Sequence, residues 1–289
     1  MGRRVIITGA AGFIGRVLCE HLASRGWDVW AGVRRDPDPM VRGVVKYVRL
    51  RLGGALPEKE LREAEACVHL AWDQRARTLA RGRATNVEGT RALVQAFAPA
   101  PGRPFLFVSS CSAHKGAQGI YGRTKLEAEA LVLEAGGCVA RPGLVIGHGG
   151  LFGRLALAAA SWPMVPLVDG GGQLFQVIAV DDLAEGLLRV LEDAPRDVMI
   201  LAGEERVALR ALLEEAAAAR GAKPRFVAVP SRLVAPVLRA AEALHLPLPV
   251  TSDNLRGLMD VPWQDPAASL EALGMGLKDA MEAVREMWA

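Results

Sequence analysis

Apolar residues along this chain follow two alternating rhythms. Short aliphatic runs bounded by polar residues or glycine predict strands at 3–8, 28–33, 44–50, 66–71, 104–109 and 138–142. Between them, apolar positions recur every three or four residues, which predicts helices over 12–25, 84–97 and 121–134. In the first of these the stripe is Phe13, Ile14, Val17, Leu18 and Leu22. Strands alternating with helices in this way build a parallel sheet covered on both faces. Past Arg141 the alternation loosens at glycine- and proline-rich stretches, 147–153 and 163–172. A strand-like run at 174–180, a helical run at 181–191 and further helical patterns at 207–220, 231–244 and 267–288 follow. The expected architecture is α/β of Rossmann type, a doubly wound parallel sheet over residues 1–145. A smaller α/β region over 146–289 is partly interleaved with it.

The densest signal lies at the start. Val5-Ile6-Ile7-Thr8 runs into Gly9, Gly12 and Gly15, and the amphipathic helix begins there. Glycine lets the backbone turn sharply and approach a ligand with no Cβ in the way. The free amides and positive dipole end of the helix then face that ligand, an arrangement suited to a dinucleotide pyrophosphate. The amides of Phe13 and Ile14 belong to the same turn. At the end of the second strand, where dinucleotide folds that prefer NAD carry an acid for the ribose, this chain reads Val33-Arg34-Arg35-Asp36-Pro37. Loss of a carboxylate and gain of guanidinium groups suits a 2′-phosphate. NADP is therefore the expected cofactor and NAD the alternative.

Glycines spaced three apart, rather than GxGxxG, resemble the extended branch of the short-chain dehydrogenase/reductase superfamily, the NAD-dependent epimerase/dehydratase family. Val33 stands where that family's acid would fall, and the segment looks like the Val-Arg-Asp-Pro of its NADP-dependent dihydroflavonol reductases. Val68-His69-Leu70-Ala71 is similar to the family's fourth-strand ending beside the cofactor, and Asn86-Val87-Glu88-Gly89-Thr90 to its next helix. Leu70, Ala71 and Asn86 are carried over as cofactor contacts, and His69 as a residue packed against the cofactor backbone. The family's third strand ends in an Asp-Leu that contacts adenine; here Arg49-Leu50-Arg51-Leu52 replaces it, and no adenine contact is carried over.

Phe105-Leu106-Phe107-Val108 is a buried strand ending in Ser109 and Ser110, and Tyr121-Gly122-Arg123-Thr124-Lys125 follows. Tyrosine and lysine four apart share one helix face and can meet one ligand. A phenol with an ordinary pKa near ~10 is a poor acid or base at neutral pH. An ammonium beside it is expected to favour the phenolate, and its remaining donors to hold the nicotinamide ribose. A serine hydroxyl on the same oxygen would polarise a carbonyl. With the glycine motif upstream, this resembles the family's Ser/Tyr/Lys set, which implies Ser110, Tyr121 and Lys125 as catalytic; Ser112 is the fallback hydroxyl. Tyr121 and Lys125 also count as cofactor contacts.

The resemblance extends through Arg141-Pro142-Gly143-Leu144-Val145-Ile146-Gly147-His148-Gly149, the run from Gly170 to Asp182, and the ending Asp265…Leu273-Gly274…Leu277 with Trp288. Two departures bear on the reaction. Dehydratases of the family place Asp-Glu after the catalytic hydroxyl, whereas Cys111-Ser112 stands here, which disfavours dehydration. The arginine that sugar-nucleotide enzymes apply to the substrate diphosphate is Phe175, which offers no donors. His148, Phe152, Phe175 and Trp162 are candidates either for the pocket wall or for ordinary core packing.

Composition narrows the rest. Hydrophobic residues make 51% of the 289, aromatics only 5%, and net charge is +3 from 35 basic and 32 acidic residues. That balance gives no reason to expect nucleic acid. Arginines 75, 77, 81 and 83 form the densest basic cluster and read as a solvated face. Cysteines 19, 67, 111 and 138 show no metal spacing and are expected as buried free thiols, with no metal site. With no membrane-length apolar run and no secretory leader, a cytoplasmic protein without membrane partners is expected. The resemblance implies hydride transfer between NADP(H) and a carbonyl or alcohol of a small non-nucleotide substrate. Nucleotide-sugar epimerisation and non-catalytic dinucleotide binding remain the alternatives. Relatives dimerise through helices corresponding to 84–97 and 121–134, so a homodimer is a further expectation.

Overall fold

Four consecutive buried residues, Val5 to Thr8, make β1 (Arg4–Thr8) the centre of the molecule in a computed structural model that describes residues 2–195, 197–234, 236, 238, 257, 259 and 261–288. Around it lie β2 (Asp28–Val33), β3 (Val44–Arg49), β4 (Ala66–His69), β5 (Phe105–Val108) and β6 (Cys138–Pro142). The second half contributes β7 (Leu144–Ile146), β8 (Met164–Val168), β9 (Leu174–Ala179), β10 (Val198–Leu201), β11 (Arg206–Ala208) and β12 (Arg225–Val229). Seven strands form one parallel sheet in the order β10-β6-β5-β4-β1-β2-β3. β10 reaches this sheet from the second half, pairing Val198 with Val139.

Helices cover both faces. They are α1 (Phe13–Ser24), α2 (Glu58–Glu63), α3 (Leu79–Gly82), α4 (Glu88–Phe97), α5 (Ile120–Glu134), α6 (Gly150–Ser161), α7 (Val180–Asp193), α8 (Leu209–Ala218), α9 (Ala267–Ala272) and α10 (Ala280–Glu286). Because side chains alternate along a strand, β1 sends Val5 and Ile7 to one face, against Leu18, Leu22, Leu183 and Leu187. Ile6 points the other way, into Leu61, Leu93, Phe97, Phe105 and Phe107. A separate cluster with Phe152, Val165, Leu167, Leu212, Leu213 and Val284 organises the second half. There β11-β9-β7 and β12-β8 form two small sheets.

The strand order reverses between β1 and β4, so their carboxyl ends flank a crevice. Open α/β sheets bind ligands at such a switch point. No described helix is long and apolar enough to cross a membrane.

The helical pattern at 267–288 resolves into α9 and α10. Gly274, at φ +58°, ends the first, and Asp279 caps the second by accepting from the amides of Met281 and Glu282. The pattern at 84–97 begins with a wide π-type turn, Arg83–Val87, before α4. Of the pattern at 231–244, residues 231–234 are helical and most of the rest lies outside the described residues.

Candidate functional site

The glycine loop is built by close approaches. Gly9 sits at φ +72°, and a Cβ there would stand 2.8 Å from the Ala71 nitrogen. Glycine thus lets the ends of β1 and β4 meet. At Gly15 a Cβ would lie 2.4 Å from the Gly9 carbonyl oxygen, so α1 packs directly on the turn. Gly12 is exposed, and no side chain caps α1. Its first amides therefore open into the crevice, as a pyrophosphate cradle requires. Phe13 and Ile14 present backbone rather than side chain at this turn. A Cβ on Gly147 or Gly149 would stand 2.8 or 2.5 Å from the Phe13 ring, and Ile14 packs against the core. These residues fit a dinucleotide.

Behind the loop runs a directional hydrogen-bond chain. The Ala71 amide donates to Thr8 Oγ1 (3.1 Å), and Thr8 Oγ1 lies 2.7 Å from His69 Nδ1. His69 Nε2 lies 2.9 Å from Thr90 Oγ1, which donates to the Asn86 carbonyl at 2.7 Å. Thr90 spends its proton on Asn86, so His69 must donate from Nε2 and accept at Nδ1. Burial, helped by the nearby Lys125 ammonium, pulls the imidazole down to about 3, and the ring is neutral. This corrects the expected role of His69. It is 0% exposed, out of a cofactor's reach, and fixes the loop that flanks the crevice. Asn86 extends the chain: its Oδ1 accepts from the Asp73 amide and its Nδ2 donates to the Asp73 carbonyl. Leu70 and Ala71 lie half-buried on that loop.

Across the crevice, Ser110 and Tyr121 are joined by a side-chain hydrogen bond. The Ser112 amide donates to Ser110 Oγ at 3.1 Å, so Ser112 supports this hydroxyl through its backbone. Ser109 turns away; its buried Oγ has no hydrogen-bond partner among the described residues. Lys125, 3% exposed, donates from Nζ to the Val108 carbonyl at 2.6 Å, and Nζ lies 5.9 Å from the Tyr121 ring centroid. The expectation of a phenol tuned downward by this ammonium is not met. Burial drives Tyr121 up to about 12, against the opposing Ser110 hydrogen bond, while burial draws Lys125 down to about 7, against Glu129. The lysine faces the sheet and two aromatic rings rather than the phenol oxygen.

Sequence reasoning missed three supports. Gly122 lets α5 touch the serine loop, because a Cβ there would stand 2.2 Å from the Ser112 carbonyl oxygen. Glu129, one turn beyond Lys125, is clamped by Arg141. Gln264 ties the same arginine to the Cys111 carbonyl. A spacing of four from Lys125 was the available signal for Glu129; nothing local marked Gln264.

Arg34 and Arg35 are exposed at the end of β2, and neither has a carboxylate partner among the described residues. Arg49 instead pairs with Asp36 at 2.8 Å and donates to the Arg34 carbonyl. On the substrate side the two alternatives, pocket wall and core packing, separate. Phe175, 4% exposed, is packed in the second core, because its place in β9 points it away from the crevice, and Phe152 is fully buried beside it. His148 is exposed with its ring 5.2 Å from that of Trp288, and Trp162 lies on the surface, 54% exposed. All four cysteines are buried free thiols.

Comparison with known proteins places this geometry among relatives. The family model described as the NAD dependent epimerase/dehydratase family matches residues 5–202. A ceramide reductase of Caulobacter vibrioides (strain NA1000 / CB15N) is 33% identical over 235 residues, covering 78% of this chain and 73% of its own. The crystal structure of gox2253 superposes with a TM-score of 0.78 at 23% identity, covering 98% of this chain and 96% of the other. MoeE5 in complex with UDP-glucose and NAD gives 0.76 at 23% identity, over 99% and 100%. At those identities the two solved structures speak for the fold.

Proposed function

The chain belongs to the NAD dependent epimerase/dehydratase family and is an enzyme of its NAD(P)-dependent oxidoreductase type, and we propose that it is an NADPH-dependent carbonyl reductase for a small, apolar, non-nucleotide substrate. The observation that carries this reading is the Ser110–Tyr121 hydrogen bond beside the buried Lys125. A bound nicotinamide would supply the hydride. Tyr121 gives its proton to the carbonyl oxygen, and Ser110 donates to that same oxygen and polarises it. A phenol held protonated by burial suits the reductive direction, in which it must donate. Lys125 holds the nicotinamide ribose, and its ammonium, one helical turn from Tyr121 on α5, favours the phenolate as the proton leaves.

In the same proposal, Gly9, Gly12 and Gly15 with the amides of Phe13 and Ile14 hold the pyrophosphate, and Leu70 and Ala71 border the cofactor; Asn86, expected as a contact, is 1% exposed with both amide atoms bound to Asp73 and acts by holding the loop after β4. Arg34 and Arg35 take the 2′-phosphate; their freedom from carboxylates, and the capture of Asp36 by Arg49, support NADP over NAD. Residues 1–145 serve the cofactor and 146–289 the substrate. Position 175 carries no arginine and its side chain lies in the second core, so it offers no guanidinium to a diphosphate, which supports a non-nucleotide substrate. So does the name of the Caulobacter relative, a reductase of ceramide. Four buried free thiols support a cytoplasmic location. A homodimer through α4 and α5, which adjoin, belongs to the same proposal.

The test is a panel of apolar aldehydes and ketones with NADPH, run beside UDP-, GDP- and dTDP-sugars. Oxidation of NADPH with the first group and none with the second is expected. Turnover of a nucleotide sugar without net cofactor consumption would move the assignment to an epimerase.

A further inference from the structure

Lys125 poses a problem of charge. Its side chain is buried, and Nζ makes one hydrogen bond, to the Val108 carbonyl. The carboxylate nearest on its own helix is Glu129, but both oxygens of Glu129 are taken by Arg141 of β6, at 2.8 and 2.5 Å. The other titratable groups facing the ammonium do not help. His69 on β4 is neutral and Tyr121 on α5 is protonated. Glu129 therefore supports the ammonium without touching it, and a buried ammonium with no counter-ion in contact tends to lose its proton. Lysine must keep that proton to serve both a ribose hydroxyl and a developing phenolate.

Two aromatic faces meet this need. Nζ lies 4.0 Å from the centroid of the Trp72 indole and 4.4 Å from that of Phe107. The two rings lean on each other with centroids 5.6 Å apart. Phe107 belongs to the buried sheet, whereas Trp72 stands on the loop after β4, half-buried against the cluster that holds Phe105 and Phe107. A cation over an aromatic face is stabilised by the ring quadrupole, most strongly over indole and when water is excluded.

We propose that Trp72 is a positioning residue that keeps the Lys125 ammonium charged and in place through a cation–π contact, doing the work that a carboxylate would otherwise do. This rests on the reading of Lys125 as cofactor clamp and charge source given above. It also gives the loop after β4 a second task besides bordering the cofactor. Whatever moves that loop changes the charge state of the lysine.

The free protein suffices for the test. Lysine is labelled with ¹³C at Cε, the Lys125 resonance is identified by its loss in Lys125→Met, and its pKa is read by titration. In Trp72→Leu the pKa should fall by about one unit or more, while Trp72→Phe, which keeps a ring, should restore part of the loss. Should the leucine variant not fold, biosynthetic incorporation of tryptophan bearing one, two or three fluorines leaves packing nearly intact and weakens the ring quadrupole stepwise. Only the indole at position 72 among the six tryptophans touches Lys125 in the described structure, so its pKa should fall stepwise as well. A Lys125 pKa unmoved by fluorination, or equal in wild type and Trp72→Leu, would overturn the proposal. Because no cofactor or substrate enters the measurement, a failure to find carbonyl turnover would count against the functional reading and leave this result standing.

Discussion

Arg141 grips the carboxylate of Glu129 with two nitrogens, and its Nη1 reaches Gln264 Oε1 at 3.1 Å, so one guanidinium joins the helix of Tyr121 to strand β6 and to the C-terminal segment. The Glu129 side chain is 3% exposed and that of Arg141 18%. Removing one partner of a buried pair strands the other charge, which typically costs about 3–5 kcal/mol. Arg141→Met should lose stability of that order in urea unfolding. Adding Glu129→Gln should recover part of it. Losses that simply add would show that the two charges act independently.

His69 predicts an acid-sensitive fold. Its pKa is about 3 in the folded chain against 6.5 unfolded, so between those values the unfolded chain binds the extra proton. Stability is complete above pH 6.5 and falls as pH drops, with the folding constant losing about tenfold per pH unit from this group. His69→Gln should flatten that slope. Equal slopes in wild type and variant, from urea titrations at pH 4 to 7, would count against the buried neutral ring.

The glycine loop makes a prediction about binding alone. Gly12 is exposed at the mouth of α1, and Gly12→Val should place a branched side chain over the amides that cradle phosphate while leaving the fold in place. Calorimetry should show dinucleotide affinity falling by at least tenfold. Unaltered affinity would exclude this loop as the site.

Cofactor choice rests on Arg34. Losing one guanidinium–phosphate contact should cost about 1.5–3 kcal/mol, roughly ten- to a hundredfold in NADPH affinity, with little change for NADH. Titrating both cofactors into wild type and Arg34→Ala checks this, and equal affinities in the wild type would end the preference for NADP.

Most of the fold could be read in the sequence, because short aliphatic strands and three-to-four helical spacing are local signals. The six strands expected through residue 142 lie within two residues of β1 to β6. What escaped was set by distant partners. Phe175 reads like any apolar pocket residue until the pairing of β9 turns it into the second core. The fate of Lys125 depended on Trp72, Phe107 and Val108, three residues on two other elements, and no spacing within α5 reveals them. The charge on Glu129 was likewise decided by Arg141, twelve residues away in the chain. Helix continuity over 267–288 failed for a simpler reason: periodicity outweighed the stop signal of Gly274.

The central claim is that Tyr121 delivers the proton when a hydride is transferred to a carbonyl. NADPH carrying deuterium at its transferable position is incubated with the apolar carbonyl panel, and deuterium in the product alcohol is counted by mass spectrometry. Wild type should form labelled alcohol. Tyr121→Phe removes only the hydroxyl, so it should fold and bind cofactor as wild type does while forming labelled alcohol about 10²–10⁴ times more slowly, the usual worth of a general acid. Labelled alcohol appearing from Tyr121→Phe at the wild-type rate would contradict the account.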